Sequence, residues 1–219
     1  MKSAISALLA LLLLSGCSRS ASLSGEIRLR MAGGETGPPP RTAVLVVRST
    51  PEFDRAWADH VAAFQAGAAP LRAAVEKAGQ ASAEARKTWD RAVASGAMAR
   101  ASSRPQTLPG SRGWEHPLWQ GVREADGRLL QAKRKLRDVC LDYGWQAEAL
   151  LEAHAAERVA TDQAGHFVIA GIAPGPALLY AHSRLQDRDV VWLVPLTLKG
   201  ELRQMVLTEE TPNGWPFRP

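Results

Sequence analysis

The sequence predicts an α+β protein in which an antiparallel α-helical hairpin, packed like a coiled coil, is inserted into a β-sandwich. Two observations lead to this fold class. The middle of the chain is rich in alanine and places apolar residues at heptad spacing, which is typical of paired helices. Short segments separated by Gly, Pro and Asp lie on both sides of it, which is typical of a sandwich.

Residues 25–50 are predicted to form the first part of the sandwich. Polar and apolar side chains alternate over residues 26–31, as expected for a half-buried strand. Residues 43–47 are almost all valine and leucine, as expected for a more buried strand. The Gly- and Pro-rich residues 33–40 between them are predicted to form a loop.

Residues 51–156 are predicted to form the helical hairpin. Thr50 is a candidate N-cap, and Pro51 and Pro117 suit the first turns of two helices. Residues 96–117 are predicted as their connecting loop, and a break or bend is expected near residues 66–70 because Pro70 removes a helical hydrogen bond. The first helix has an apolar seam with steps of four and three residues: Trp57, Val61, Phe64, Ala68, Leu71, Val75, Ala78, Ser82, Ala85, Trp89 and Ala92. The second has the same pattern: Leu118, Val122, Ala125, Leu129, Ala132, Leu136, Val139, Tyr143, Gln146, Leu150 and Ala153.

Two helices with one apolar stripe each are expected to pack on one another. The sequence leaves open whether the two seams pair within one chain or between two chains. Residues 157–210 are predicted to form the second part of the sandwich, and residues 211–219 a tail without regular structure. Residues 162–165 are predicted to form a tight turn, in which Asp162 bonds its own backbone and Gly165 takes positive φ.

The N-terminus resembles the signal of a bacterial lipoprotein. Lys2 precedes an apolar run at residues 4–14, which is shorter than the roughly 20 residues of a membrane-spanning helix but suits a signal peptide. Leu14-Ser15-Gly16-Cys17 then resembles a lipobox. The resemblance implies a signal peptide at residues 1–16, lipidation at Cys17 and, because Ser follows the Cys, the periplasmic side of an outer membrane. The alternative is an ordinary signal peptide followed by a Cys by chance. Residues 18–24 are small and polar, and they are predicted to form a short flexible spacer.

A second resemblance covers residues 161–181, which read TDQAGHFVIAGIAPGPALLYA. This segment is similar to the carboxypeptidase regulatory-like domain family, with its T-D-x-x-G-x-F turn, a G-[LI]-x-P-G turn and a following apolar strand. Residues 24–27 and 42–46 match the first family strands more loosely. The resemblance implies a seven-stranded transthyretin-like antiparallel β-sandwich. It covers less than half of the chain, has no counterpart of the helical region, and implies no catalytic residue.

The sequence contains no motif of a known catalytic or metal site. The five histidines show no zinc-ligand spacing, and no nucleophile elbow or phosphate-binding glycine loop occurs. His166 and His182 both lie in predicted strands and could face each other, although isolated surface histidines are the simpler interpretation. Cys140 is interpreted as a small buried side chain rather than a reactive thiol. We therefore expect no enzyme, no metal and no cofactor.

Two groups of residues are candidate partner contacts. Trp114 and Trp119 flank the predicted inter-helix loop, where they either contact a partner or close the end of the hairpin. The basic run Lys133, Arg134, Lys135 and Arg137 is either a solvated helix surface or a contact for lipid head groups, lipopolysaccharide or an acidic protein.

The sequence favours a non-enzymatic, lipid-anchored envelope protein, a structural or protein-interaction module that presents its helical arm. Its expected partners are the membrane, through the anchor, and an envelope protein, whereas nucleic acid is not expected for an exported chain. The alternative is a module that binds carbohydrate or peptidoglycan through the sandwich. It requires an exposed aromatic pair, for which Tyr180 and Trp192 are the candidates, although their apolar neighbours in the sequence favour core packing. A hydrolase without a recognisable motif is the third hypothesis.

Overall fold

The computed structural model describes residues 20–31, 33–39, 41–95, 116–186 and 188–219, and it confirms the α+β class. The strands that precede the helices are β1 Ala21–Ile27, β2 Leu29–Arg30, β3 Thr36–Gly37 and β4 Ala43–Arg48. The helices are α1 Pro51–Ala94 and α2 Pro117–Ala153. The strands that follow are β5 Ala155–Ala160, β6 His166–Ile172, β7 Gly175–Arg184, β8 Asp189–Leu198 and β9 Leu202–Leu207.

The chain forms two compact units. The first, here called the β unit, comprises the described residues from 20 to 56 together with those of Glu148–Trp215. The second, here called the helical unit, comprises Trp57–Ala147 together with Pro216–Pro219. Helix α1 therefore starts in the β unit, and helix α2 ends in it.

The β unit contains three sheets in the part of the chain that is described. Their strand orders are β6-β1-β9, β5-β4-β7-β8 and the short pair β2-β3. Nine strands in three sheets replace the predicted seven. β1 lies between two strands from the far end of the chain. It pairs with β6 in antiparallel and with β9 in parallel orientation, in contrast to the predicted all-antiparallel arrangement.

The two larger sheets share one hydrophobic core. Alternate residues of each strand point into it, because successive side chains of a strand face opposite sides. The core includes Leu23, Ile27, Phe167, Ile169 and Leu207 from the three-stranded sheet and Val44, Val46, Leu179, Trp192 and Leu196 from the four-stranded sheet.

The start of the β unit corrects the predicted spacer. β1 begins at Ala21, so residues 21–24 are strand rather than a flexible linker. Ala21 and Leu23 are fully buried, and the small Ser22 and Ser24 alternate with them. Pairing on both edges of β1 gives this segment a structure that its composition alone does not indicate.

The predicted turn at residues 162–165 is confirmed. The Asp162 Oδ1 atom accepts hydrogen bonds from the backbone N–H groups of Ala164 at 2.9 Å and His166 at 2.8 Å. Gly165 has φ of 82°, in the left-handed region that favours glycine. The turn fixes the start of β6.

Helix α1 is continuous through Pro70, so the predicted break near residues 66–70 is wrong. Thr50 Oγ1 accepts the Phe53 N–H at 3.2 Å, which confirms the predicted N-cap. The seam residues Phe64 and Ala68, on the N-terminal side of the proline, are buried. Packing along this seam outweighs the hydrogen bond that the proline removes.

The two helices pair with each other in antiparallel orientation within one chain. Trp89 lies against Trp119, with ring centroids 5.2 Å apart, and Phe64 lies against Tyr143 at 5.5 Å. Between these contacts, Asp126 accepts hydrogen bonds from Ser82 at 2.5 Å and from Arg86 at 2.6 Å. Among the described residues, no helix is both long enough and apolar enough to cross a membrane.

The end of the second seam differs from the heptad prediction. Gln146 and Ala153 are exposed, whereas Ala147 and Leu151 are fully buried. An α-helix has 3.6 residues per turn, so a heptad pattern drifts by about 20° per repeat and the buried side moves to later positions. The tail after Thr211 has no helix or strand, as predicted, but its Phe217 packs on Phe64 with ring centroids 5.0 Å apart.

Substitution of Gly25 tests the packing of the sandwich core. A Cβ atom at Gly25 would lie 2.5 Å from the Phe167 ring and 2.7 Å from the Met205 carbonyl oxygen. We expect Gly25→Ala to lower the free energy of unfolding by about 1–3 kcal/mol, the usual range for overpacking. Gly33→Ala is the matched control because nothing lies within 4 Å of that Cβ position. Equal urea midpoints for the two variants would contradict the prediction.

Candidate functional site

Helix α2 carries a second stripe of residues on the side turned away from its seam. With 100° between successive residues, the stripe occupies a sector of about 80°. It consists of Arg123, Gly127, Leu130, Arg134, Arg137, Leu141 and Trp145, and we call it the outer stripe. Leu130, Leu141 and Trp145 are 51%, 41% and 60% exposed. Large apolar side chains exposed together mark interaction sites more often than isolated ones do.

The predicted basic run is divided between faces of α2. Lys133, Arg134, Lys135 and Arg137 are all exposed, while Leu136 between them is buried in the seam. Arg134 and Arg137 belong to the outer stripe, whereas Lys135 lies on another side of the helix. Arg137 makes an exposed ion pair with Asp138 at 3.4 Å, and no ion pair joins Arg134 to another described residue.

Of the other predicted contact residues, Cys17 and Trp114 lie outside the described part of the chain. Trp119 is half-buried and lies against Trp89, which also contacts the His116 ring at 5.8 Å. Trp119 therefore helps to close the loop end of the hairpin, and its remaining exposed edge is available for contact.

The β unit contains a polar cluster that the sequence did not indicate. Glu148, near the end of α2, lies beside two side chains on the same face of β7. The Tyr180 hydroxyl donates a hydrogen bond to Glu148 Oε1, and the His182 Nδ1 atom lies 2.5 Å from the same oxygen. The i, i+2 spacing of Tyr180 and His182 in a strand indicates that both side chains lie on one face of the sheet. No pattern in the sequence indicates that Glu148 lies opposite them.

Burial and hydrogen bonding together set the charge state of this cluster. Burial raises the pKa of the Glu148 carboxyl, but the hydrogen bonds from His182 and Tyr180 outweigh it, so the pKa lies below its usual 4.5. Burial and the Glu148 hydrogen bond raise the pKa of Tyr180 far above its usual 10.0. The carboxylate is thus charged and the phenol neutral, which suits a structural link between α2 and β7.

The remaining nitrogen of His182 has no hydrogen bond among the described residues. Nε2 is buried and lies 3.7 Å from Asp189 Oδ1, which is ion-pair distance but beyond hydrogen-bond reach. His166 instead lies 3.6 Å from Asp162 at the other sheet, so the two histidines have different partners. Within the described residues, no group of three His, Cys, Asp or Glu side chains could hold a metal ion.

Tyr180 and Trp192 are packed in the interior, as their apolar neighbours in the sequence favour, and they do not form the exposed aromatic pair that the glycan-binding hypothesis requires. Tyr180 is 4% exposed and Trp192 is 1% exposed. Trp192 belongs to the sandwich core and donates its Nε1–H to the Thr208 carbonyl at 2.7 Å. Tyr180 faces the other side of the same sheet, where its ring lies 5.6 Å from that of Trp215. Both rings serve packing, since apolar neighbours on adjacent strands enclose them.

Cys140 is buried, as the sequence predicted, and burial raises the pKa of its thiol. A thiol with a raised pKa is a poor nucleophile at neutral pH. The β unit also has an open groove of about 1120 Å³ beside the 162–165 turn. Polar lining residues include Arg41, Asp162, Gln163 and His166.

No protein-family model matches the chain, and no curated protein sequence matches it. A crystal structure of a putative carbohydrate binding protein from Pseudomonas aeruginosa aligns with 86% of this chain and 88% of its own. The alignment has 12% sequence identity and a TM-score of 0.33. A similarity at this level supports no inference about fold or ligand.

The polar cluster predicts a pH-dependent stability. The folded-state pKa of Glu148 is lowered, so its contribution to stability is present above its unfolded pKa and is lost as the pH falls through the folded pKa. Glu148→Gln should lower the free energy of unfolding by about 1–3 kcal/mol at neutral pH, because Tyr180 or His182 loses its acceptor.

We expect that difference from the wild type to shrink as the pH falls through the folded-state pKa of Glu148, which lies below the usual 4.5, because the wild-type carboxyl is then protonated as well. Urea unfolding at neutral and acidic pH, followed by tryptophan fluorescence, measures it. Glu157→Gln is the control because Glu157 is exposed on β5. A Glu148→Gln effect that stays constant with pH would show that the carboxylate charge contributes nothing.

Proposed function

We propose that the protein is a non-enzymatic, lipid-anchored envelope protein whose helical hairpin is a structural or interaction module. The observation that carries this proposal is the outer stripe of α2. One face of α2 packs on α1, and a separate face leaves Leu130, Leu141 and Trp145 in contact with water. Leaving such side chains exposed is unfavourable unless a partner covers them.

The contacts along the hairpin support its role as a presenting arm. Aromatic pairs lie on either side of the middle of the seam, and the partly buried Asp126–Ser82 hydrogen bond fixes the register between them. Paired helices hold an outward surface rigidly, which lowers the conformational entropy lost on binding. Trp119 and the basic residues Lys133, Arg134, Lys135 and Arg137 are the proposed contacts beside the stripe, together with Trp114.

The anchoring part of the proposal rests on the N-terminal sequence. Lys2, the apolar run at residues 4–14 and the Leu14–Cys17 segment together support acylation of Cys17. The proposed location is the envelope of a bacterium, on the periplasmic side of the outer membrane. Membership of the carboxypeptidase regulatory-like family likewise remains a proposal, supported by residues 161–181 and by two sheets that share one core.

The proposal that the protein is not an enzyme rests on the environment of Glu148, the carboxylate that has a tyrosine and a histidine beside it. Glu148 is hydrogen-bonded to both Tyr180 and His182, and both of those side chains lie against the end of α2. A general acid or base must reach a substrate proton, directly or through one water molecule. Side chains that bond each other across a packed helix and sheet serve stability instead.

The alternative function is carbohydrate or peptidoglycan binding by the β unit. The groove near the 162–165 turn favours it, because Arg41 and Gln163 place hydrogen-bonding side chains at its wall. Such groups suit sugar hydroxyls or the carboxylates of peptidoglycan peptides. The groove lacks an exposed aromatic ring among its described lining residues, so this alternative rests on polar contacts alone.

Metabolic labelling tests the anchor. In cells fed an alkyne analogue of palmitate, the wild-type chain should carry the label and Cys17→Ala should carry none. Cys140→Ala is the matched control, since Cys140 is the other cysteine of the chain. Label retained by Cys17→Ala would refute anchoring at that residue.

Site-specific photo-crosslinking tests the hairpin as the interacting part. A benzophenone amino acid at Leu118 or Leu130 should form adducts that intact-mass analysis detects, whether the partner is a protein or a lipid. The controls are Lys77, on the side of α1 turned away from the seam, and Gln163 in the groove. Adducts from Gln163 alone would favour the carbohydrate-binding alternative.

A further inference from the structure

We infer that the outer stripe of α2 binds the surface of an anionic lipid bilayer. The inference rests on the proposed function, because acylation at Cys17 would hold the chain within reach of such a surface. It assigns a partner to the exposed face of the helical unit and adds a second membrane contact to the anchor.

The apolar residues of the stripe have the arrangement of an interfacial helix. Leu130 and Leu141 lie within about 20° of each other around the helix axis, and Trp145 lies within about 60° of Leu130. All three side chains are exposed. A tryptophan at the edge of an apolar face is typical of the membrane interface, where its ring meets both acyl chains and head groups.

Basic side chains lie between and beside these apolar residues, since Leu130 and Leu141 are about 16 Å apart along the helix axis. Arg134 lies on one side of Leu130, and Arg137 and Lys133 lie on the other, all exposed. Arg123 lies in the same sector of the helix, about one turn before Gly127. The stripe itself contains no acidic residue. Of the acidic residues beside it, Asp126 is bonded to Arg86 and Ser82, and Asp138 forms an exposed ion pair with Arg137, so the charge that remains on this face is positive. The face is therefore complementary to negative charge.

The distribution of arginine favours a lipid surface over a partner helix. The stripe spans about 33 Å, and three of its seven positions are arginine. A partner helix packed along it would have to bury three guanidinium groups, which is unfavourable unless each is fully paired. At a bilayer, the arginine stems lie along the apolar boundary while the guanidinium groups reach the phosphates.

A fluorophore on the stripe tests this contact in the complete, acylated chain. Gly127→Cys in a Cys140→Ala background receives an environment-sensitive label (NBD), because nothing lies within 4 Å of a Cβ atom at Gly127. Lys77→Cys in the same background is the control label. Each protein is reconstituted into vesicles of phosphatidylcholine alone or of equal parts phosphatidylcholine and phosphatidylglycerol.

The label at residue 127 should shift to shorter wavelength in the anionic vesicles, and lipids that carry a nitroxide should quench it. The label at residue 77 should not change. Arg134→Gln/Arg137→Gln should reduce the equilibrium constant for the lipid-contacting state by about thirtyfold, which corresponds to about 1 kcal/mol for each arginine. Lys77→Gln/Arg91→Gln removes the same charge from α1 and should have little effect. High salt should reverse the shift.

Equal emission from residue 127 in the two kinds of vesicle would overturn the inference. So would an equal loss of the shift in the two charge variants, since net charge alone would then explain it. A protein adduct from Leu130, with residue 127 still in water, would assign the stripe to a protein and leave the proposed function standing. Loss of the proposed anchor is measured separately, by the acyl label on Cys17.

Discussion

The pairing of β4 with β5 is the constraint on which the rest of the architecture depends. β4 ends at Arg48, just before α1 begins, and β5 begins at Ala155, just after α2 ends. Their antiparallel register pairs Val47 with Ala155, so the chain must leave and re-enter the sheet at neighbouring positions. Two long helices can satisfy this condition if the second returns along the first. The sheet thus requires the chain to return to its starting point, and the apolar seams of the two helices make that return favourable.

Helix α2 illustrates how one element can serve several partners. Its seam packs on α1, its last turns carry Glu148 and Leu151 into the β unit, and its outer stripe faces water. Because an α-helix has 3.6 residues per turn, the buried Val122 and Leu151 lie within about 20° of each other around the axis, although a strict heptad repeat would not place both in the seam. The outer stripe lies outside this buried sector. Its leucines and tryptophan are therefore available for an interaction that stability of the hairpin does not need.

The polar cluster and the groove give the β unit two different kinds of polar chemistry. In the cluster, Tyr180 and His182 both bond Glu148, so each group reinforces packing of helix on sheet. In the groove, Arg41 and Gln163 line an open space beside a turn that Asp162 stabilises. The histidine, tyrosine and carboxylate of the cluster lie together because they join the helix to the sheet, and this role does not require catalysis. The polar residues of the groove are the reason why glycan binding is proposed as the alternative function.

The sequence by itself determined the fold class, both helix starts, the seam of α1 and the turn at Asp162, because each depends on residues that are near one another in the chain. It also supplied the prediction of lipidation at Cys17 and the basic run on α2. Only tertiary structure decided the strand at residues 21–24 and the continuity of α1 through Pro70. The Glu148 cluster and the outer stripe also depend on it, because burial and exposure are set by which distant segments pack together, and local pattern does not encode that choice.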